Sequence, residues 1–344
     1  MTRTLFYCLI AALFLQGCSG PKGEYSYPDF KSTCESKFHI LTEELLIDRV
    51  HDIWAYKNNV VLLALDQTSG LCVHIFDKSG TLLKSLIHYG NGPKETLWGV
   101  TQPDLNHETG ILSMCDFAHD KILYVDLNRV LEDGYEAVTE EACDFSFKMR
   151  RCNLLSNGSQ LIQWNVTPAN SETALRMTLM DLADTLSVYN DFPLEMSQLC
   201  SDVYLNSYSC VSPDGSHFAV GTSYGAILET FDLKPQISCK ATIRISEPML
   251  EYKNNSYVLD NTVIGFIDMY ATDKQLFAAF DGIRTITGPE VLRNIAIFDW
   301  NGKAQALIKT DRRIEKLCID ESENTVYACV LNDVGAIYLA KLPM

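Results

Sequence analysis

Cys115, Asp116, His119 and Asp120 bring a thiol, an imidazole and two carboxylates together at C-x-x-x-H spacing, the donor types that hold a divalent metal. A closed metal site needs ligands converging from more than one such group, and nothing comparable accompanies these four. The chain has no D-x-D-x-D-G calcium loop, G-x-S-x-G nucleophile turn, H-E-x-x-H helix or phosphate-cradling glycine loop. Its seven histidines stand apart from one another. Expected chemistry is therefore binding without catalysis, with no catalytic residue, no metal and no cofactor.

Charge narrows the partner class. With 28 basic against 44 acidic residues the chain carries a formal charge of −16, and its acids are scattered rather than blocked. That excludes the basic stripe a nucleic-acid binder needs. The twelve cysteines include no CxxC, and most sit inside apolar runs such as Leu71-Cys72-Val73 and Ala328-Cys329-Val330, where a thiol packs as a small hydrophobe. Mostly buried free thiols are expected, with Cys143 to Cys152 and Cys200 to Cys210 the pairs near enough in sequence to bridge.

The elements that must position any site repeat with a long period. Turn clusters at Lys57-Asn58-Asn59, Glu108-Thr109-Gly110, Ser156-Asn157-Gly158, Pro213-Asp214-Gly215, Thr272-Asp273-Lys274 and Glu321-Ser322-Glu323 recur roughly every fifty residues. A second series opens on Asp77, Asp126, Asp181, Asp232 and Asp299, each closing an apolar run and starting a turn. Between them lie strand-length runs rich in β-branched and aromatic residues, at 60–65, 71–76, 121–126, 218–220, 227–231 and 295–298, and none keeps a helical period. Several are apolar at successive positions, which means burial on both faces, as when four-stranded sheets stack radially.

Six such units predict an all-β, six-bladed β-propeller over residues 37–344. The last unit supplies only three strands, at 314–319, 325–331 and 335–341. An N-terminal strand within 38–46 is expected to pair with this last blade, closing the ring and removing its free edge.

The first residues follow the order of an export signal: Arg3, an apolar run over 5–15, then Gln16-Gly17-Cys18. Leu15-Gln16-Gly17-Cys18 resembles the bacterial lipobox. That resemblance implies that residues 1–17 are removed and that Cys18 is lipidated and becomes the mature N-terminus. Residues 18–36, rich in Gly, Pro, Ser and Tyr, would then tether the ring to a membrane.

Gly90-Asn91-Gly92-Pro93-Lys94-Glu95, followed by Lys121-Ile122-Leu123-Tyr124-Val125-Asp126, is similar to the G-x-G-P-G-E and R-I-x-V-F-D elements of NHL-type propeller repeats. Lys94 stands where the third glycine is usual. Gly90 and Gly92 are expected to supply left-handed backbone and Pro93 a fixed φ in the linker between two blades. Ser212-Pro213-Asp214-Gly215 looks like the turn of TolB-type propellers. With the lipobox, the whole resembles the TolB-like six-bladed propeller lipoproteins of Bacteroidetes, for which the resemblance implies a binding role in the cell envelope, at the periplasmic face or cell surface. Asp184-Thr185-Leu186 resembles a short O-glycosylation acceptor of exported proteins of that group.

In a propeller, the connections from strand two to three and from one blade to the next share one face. Here they are the longest in the chain, and long loops on a rigid scaffold carry function. Trp164, Tyr204, Tyr252 and Arg284 are the expected contacts for a protein, peptide or glycan partner, since aromatics and arginine dominate interface energy. The ring is expected to be monomeric. The alternative is a metal-dependent hydrolase or lactonase working through channel carboxylates.

Overall fold

The computed structural model describes residues 25–97, 101–143, 149–155, 157–164, 176–181, 184–195, 198–253, 256–258, 262–284 and 294–344. The expected signal segment 1–17 and Cys18 lie outside them.

The chain forms six sheets in a ring, each of four antiparallel strands laid out from the centre to the rim. The innermost strands are Ile47–Tyr56, Thr101–Asn106, Met149–Leu154, Ser207–Val211, Val263–Ala271 and Arg313–Asp320. Every expected strand falls within an observed one except 335–341, whose first two residues belong to a turn before the observed Ile337–Pro343. The first turn series joins strands one and two of each blade, and the second joins strands three and four. The aspartates end strands because their carboxylates take over backbone donors. Asp77 Oδ1 accepts the amides of Ser79 and Thr81, and Asp299 Oδ1 those of Asn301 and Lys303, all at 2.9 Å.

Successive apolar residues are explained by burial on both sides. Val61 and Leu63 pack into the core shared with blade two, whereas Val60, Leu62 and Ala64 pack against Cys318, Tyr327 and Leu339 of blade six. Each fully buried Leu or Ile side chain contributes about 1.5–3 kcal/mol.

Ring closure is as expected. Strand His39–Ile40 pairs antiparallel with Ile337–Pro343, His39 opposite Lys341 and Ile40 opposite Ala340. The amides of Leu41 and Leu45 extend the seam to the carbonyls of Leu339 and Ile337, at 2.9 Å each.

Two features depart from the expectations. The segment read as a tether is, from residue 25, docked on the ring. Ser32–Ser36 adds a parallel strand to the rim of blade five, and Phe30 packs on Phe298 at 5.7 Å. A run of Tyr, Pro and Phe reads as linker by composition, but its rings have apolar surface to bury. The second departure is a helix, Gln198–Leu205, inside a connection expected to be loop. Cys200, Val203 and Tyr204 lie on its buried side, at i, i+3 and i+4, against the seam of blades three and four. Among the described residues no helix is long and apolar enough to cross a membrane.

Candidate functional site: a charged chamber in the central channel

Because strands alternate in direction, all six innermost strands begin on the face that carries the long connections. Their first halves, together with the middle of the blade-five strand, line a chamber of about 400 Å³ to which every blade contributes. A narrower space of about 120 Å³ continues the channel past Trp54, Asp104 and Tyr270. A mouth of about 510 Å³ on the opposite face is bordered by Lys57, Glu108 and Asp273.

The chamber is predominantly polar and of mixed sign. Lys316 Nζ meets Asp268 Oδ1 at 2.7 Å, and Asp268 Oδ2 accepts the Leu317 amide at 2.8 Å. Burial works against the Lys316 ammonium, but the Asp268 and Asp52 carboxylates hold its pKa above the ordinary lysine value. The ammonium also lies 5.1 Å from the centre of the Tyr208 ring.

Arg151 donates to Ser209 Oγ and to the Ser207 carbonyl, both at 2.9 Å. No carboxylate among the described residues forms an ion pair with it. Burial pulls its pKa down, opposed by the more distant Tyr208, Asp52 and Asp268, although an arginine stays protonated regardless. Arg313 Nε and Asn153 Oδ1 are buried atoms without a hydrogen-bond partner.

Asp52 and Asp104 keep surface toward the channel yet lie deep in the ring. Burial pushes the Asp52 carboxyl up to about 6, with Lys316 opposing and Asp268 reinforcing. Burial, then the charge of Asp52, pushes Asp104 up to about 7. Burial drives His51 down to about 4, helped by Arg49 and Lys316, so at neutral pH its ring is uncharged.

Among the described side chains, neither Trp164 nor Tyr204 lines this chamber. Trp164 is half-buried at the end of a blade-three strand, where its Nε1–H donates to Thr178 Oγ1 at 2.8 Å. Tyr204 is only 8% exposed and donates to Glu229 Oε2 at 2.6 Å. It cannot reach a partner, because its ring packs against Phe192 at 4.9 Å and the Arg176 guanidinium at 4.7 Å. Tyr252 pairs with Tyr257 in a two-stranded hairpin between blades four and five. Arg284 ends the second strand of blade five opposite Val263. The side chains of Tyr252 and Arg284 lie outside the described residues.

The blade linker works differently from expectation. Neither Gly90 nor Gly92 has a positive φ, whereas Lys94, standing for the usual third glycine, does, at 55°. The glycines are needed for space. Glu95 folds back so that its Oε2 accepts the Gly92 amide at 2.7 Å, and a Cβ at Gly90 would lie 2.1 Å from that oxygen. Pro93 sits at the tip of this closed turn. The linker then joins the C-x-x-x-H group. Asp116 accepts from Thr96 Oγ1 and the Leu97 amide, both at 3.2 Å. His119 lies between Asp116 Oδ2, at 2.8 Å, and Asn91 Oδ1, at 2.7 Å. These groups lock two loops together, and among the described residues no three His, Cys, Asp or Glu side chains are placed to share a metal ion.

All ten described cysteines are free thiols, neither expected pair being bridged. The Cys115 and Cys152 thiols are instead neighbours across the seam of blades two and three, and Cys152 Sγ faces Gln160 Oε1 at 4.0 Å.

The chamber was missed because its charges are one or two residues interrupting a strand, as in Phe266-Ile267-Asp268-Met269 or Ile314-Glu315-Lys316-Leu317. Comparing the same position across the six inner strands was the available signal.

A family model described as a 6-bladed beta-propeller matches residues 25–211. A solved protein of Bacteroides fragilis NCTC 9343, described only as exported, superposes with a TM-score of 0.56 at 15% identity, covering 91% of this chain and 99% of its own. A DUF4221 family member from Bacteroides vulgatus gives 0.56 at 9% identity, covering 90% and 96%. A gluconolactonase from Xanthomonas campestris gives 0.49 at 13% identity, covering 94% and 98%. At these identities the likeness is one of fold alone. No curated protein matches the chain by sequence.

Proposed function

We propose that this chain, which belongs to the six-bladed β-propeller family, is an exported, lipid-anchored binding protein that engages a protein, peptide or glycan partner through its loop-rich face. The observation that carries this reading is the polar chamber on that face, built from the inner strands of all six blades. Its hydrogen-bonding groups converge on a space, while Asp268 and Lys316 are occupied with each other. Cys18 would hold the ring at the membrane, in the periplasm or at the cell surface. The acidic surface disfavours nucleic acid, and closure within one chain suits a monomer.

Two measurements test it. Mass spectrometry of the mature N-terminal peptide should find Cys18 acylated, and an unprocessed Met1 would remove the anchor. A glycan array and an envelope pull-down should give a signal that Arg49→Glu, at the chamber, abolishes and Lys57→Glu, at the opposite mouth, preserves. Loss in both variants or in neither would sink the assignment to this face.

A hydrolase acting through channel carboxylates is the second reading. It draws on Asp52 and Asp104, whose carboxyls are raised to about 6 and about 7, the range of a general acid. It requires turnover of a lactone or ester that Asp104→Asn eliminates. Unchanged turnover in that variant, or none in the parent, would dismiss it.

A further inference from the structure

The binding reading leaves open what enters the chamber, and its charge pattern speaks to that. The chain as a whole is strongly acidic, at −16. Yet Arg49, Arg151, Arg313 and Lys316 converge here from blades one, three and six, against the carboxylates of Asp52, Asp268 and Glu315. With Lys316 and Asp268 paired at 2.7 Å, three guanidinium groups remain against two carboxylates. A protein with an excess of acids gains nothing in solubility by gathering cations at the centre of its ring.

Arg151 is the least explained of them. It is half-buried, and its two hydrogen bonds go to neutral oxygens, Ser209 Oγ and Ser207 O. Ser209 Oγ also accepts from Gln163 Nε2 at 3.0 Å, which fixes the serine in place. A partly desolvated guanidinium without a paired anion is costly, unless an anion arrives from outside. Arg313 Nε and Asn153 Oδ1 line the same space and are unsatisfied. The first lacks an acceptor and the second a donor, so a ligand that satisfied both would carry an acceptor and a donor. A chamber of about 400 Å³ falls within the range of small-molecule sites, about 300–1,000 Å³.

We propose that the chamber holds a small carboxylate-bearing solute, its carboxylate on Arg151 with Arg49 and Arg313 beside it, and its hydrogen-bond donors on Asn153 Oδ1, Asp52 and Glu315. Arginine matches a carboxylate with two parallel N–H donors. The carboxylates opposite accept from hydroxyl or ammonium groups. Two sources carry this chemistry, a uronic acid through its hydroxyls and an α-amino acid through its ammonium. The proposal rests on the loop-rich face being the binding surface and specifies what its centre recognises.

The test is calorimetric titration of the full chain with galacturonate, galactose, glutamate and glycine. Binding of galacturonate about tenfold or more tighter than galactose supports the proposal and names an acidic sugar, while binding of glutamate or glycine alone supports it and names an amino acid. Arg151→Met should weaken the binding about tenfold or more. Because Arg151 also braces blades three and four, Arg49→Gln, at the exposed rim, serves as the second variant and should weaken it too. Lys57→Ala should leave it unchanged. No acid bound at millimolar concentration, galactose bound equally well, or both arginine variants binding like the parent would overturn the proposal. If the acids fail while the pull-down signal still vanishes in Arg49→Glu, the ligand class falls and the loop-rich binding face stands.

Discussion

Lys316 on the innermost strand of blade six and Asp268 on that of blade five meet at 2.7 Å across the seam that both line. The second oxygen of Asp268 takes the amide of Leu317, at 2.8 Å, so the aspartate, only 4% exposed, is held entirely by the neighbouring blade. Removing one partner strands a buried charge. Lys316→Met should cost about 3–5 kcal/mol in chemical denaturation, and adding Asp268→Asn to it should restore part of that loss. Simple additivity of the two substitutions would mean that the pair is not coupled.

The blade three and four seam holds a second buried pair, Arg176 with Glu229, in which Arg176 also faces the rings of Phe192 and Tyr204 at 4.4 and 4.7 Å. Tyr204→Phe leaves Glu229 Oε2 without its phenol donor. A loss of about 1–3 kcal/mol is expected, with affinity for any partner unchanged. A Tyr204→Phe protein of full stability and weakened binding would return Tyr204 to the interface.

Asp104 should leave a mark on the pH dependence of stability. Its folded pKa, about 7, stands above the ordinary 3.8, so the folded state holds this proton more tightly than the unfolded chain. Its contribution is fully present below pH 3.8 and is lost as pH rises through about 7. Asp104→Asn is neutral at every pH. Denaturation at stepped pH should therefore find the variant gaining on the parent across that window and levelling off above it. A difference that stays flat would refute the shift.

Gly90→Ala should destabilise the fold by about 1 kcal/mol, the low end of the usual cost of overpacking, because its methyl group displaces only the flexible end of the Glu95 side chain. The double variant Gly90→Ala with Glu95→Ala removes the clash and should recover most of the packing loss. Thermal melts of the three proteins separate space from backbone conformation as the reason for glycine.

Among the described cysteines Cys34 is the exposed one, and Cys72, Cys115, Cys152, Cys200, Cys318 and Cys329 are buried. Alkylation of the native protein followed by peptide mapping should label Cys34 first, with those six labelled only on unfolding. Rapid labelling of Cys115 or Cys152 would mean that the seam of blades two and three opens.

The sequence by itself determined the six-fold repeat, the strands, both turn series and the need for an N-terminal strand to complete the last blade. Those follow from local rules: aspartate and glycine at turns, β-branched residues in runs, and a strand count that leaves one edge unpaired. Only the tertiary structure decided where the chemistry gathers. Arg49, Arg151, Asp268 and Lys316 lie on four different strands, and none stands out in its own strand until the ring turns six inner strands toward a common axis. It also decided that Tyr204 is core, because the helix Gln198–Leu205 turns that ring into the blade three and four seam, where burying an aromatic next to a paired arginine outweighs exposing it. The glycines of the blade linker were legible as necessary residues, but the reason, room for the Glu95 carboxylate rather than a left-handed φ, exists only once the turn is folded.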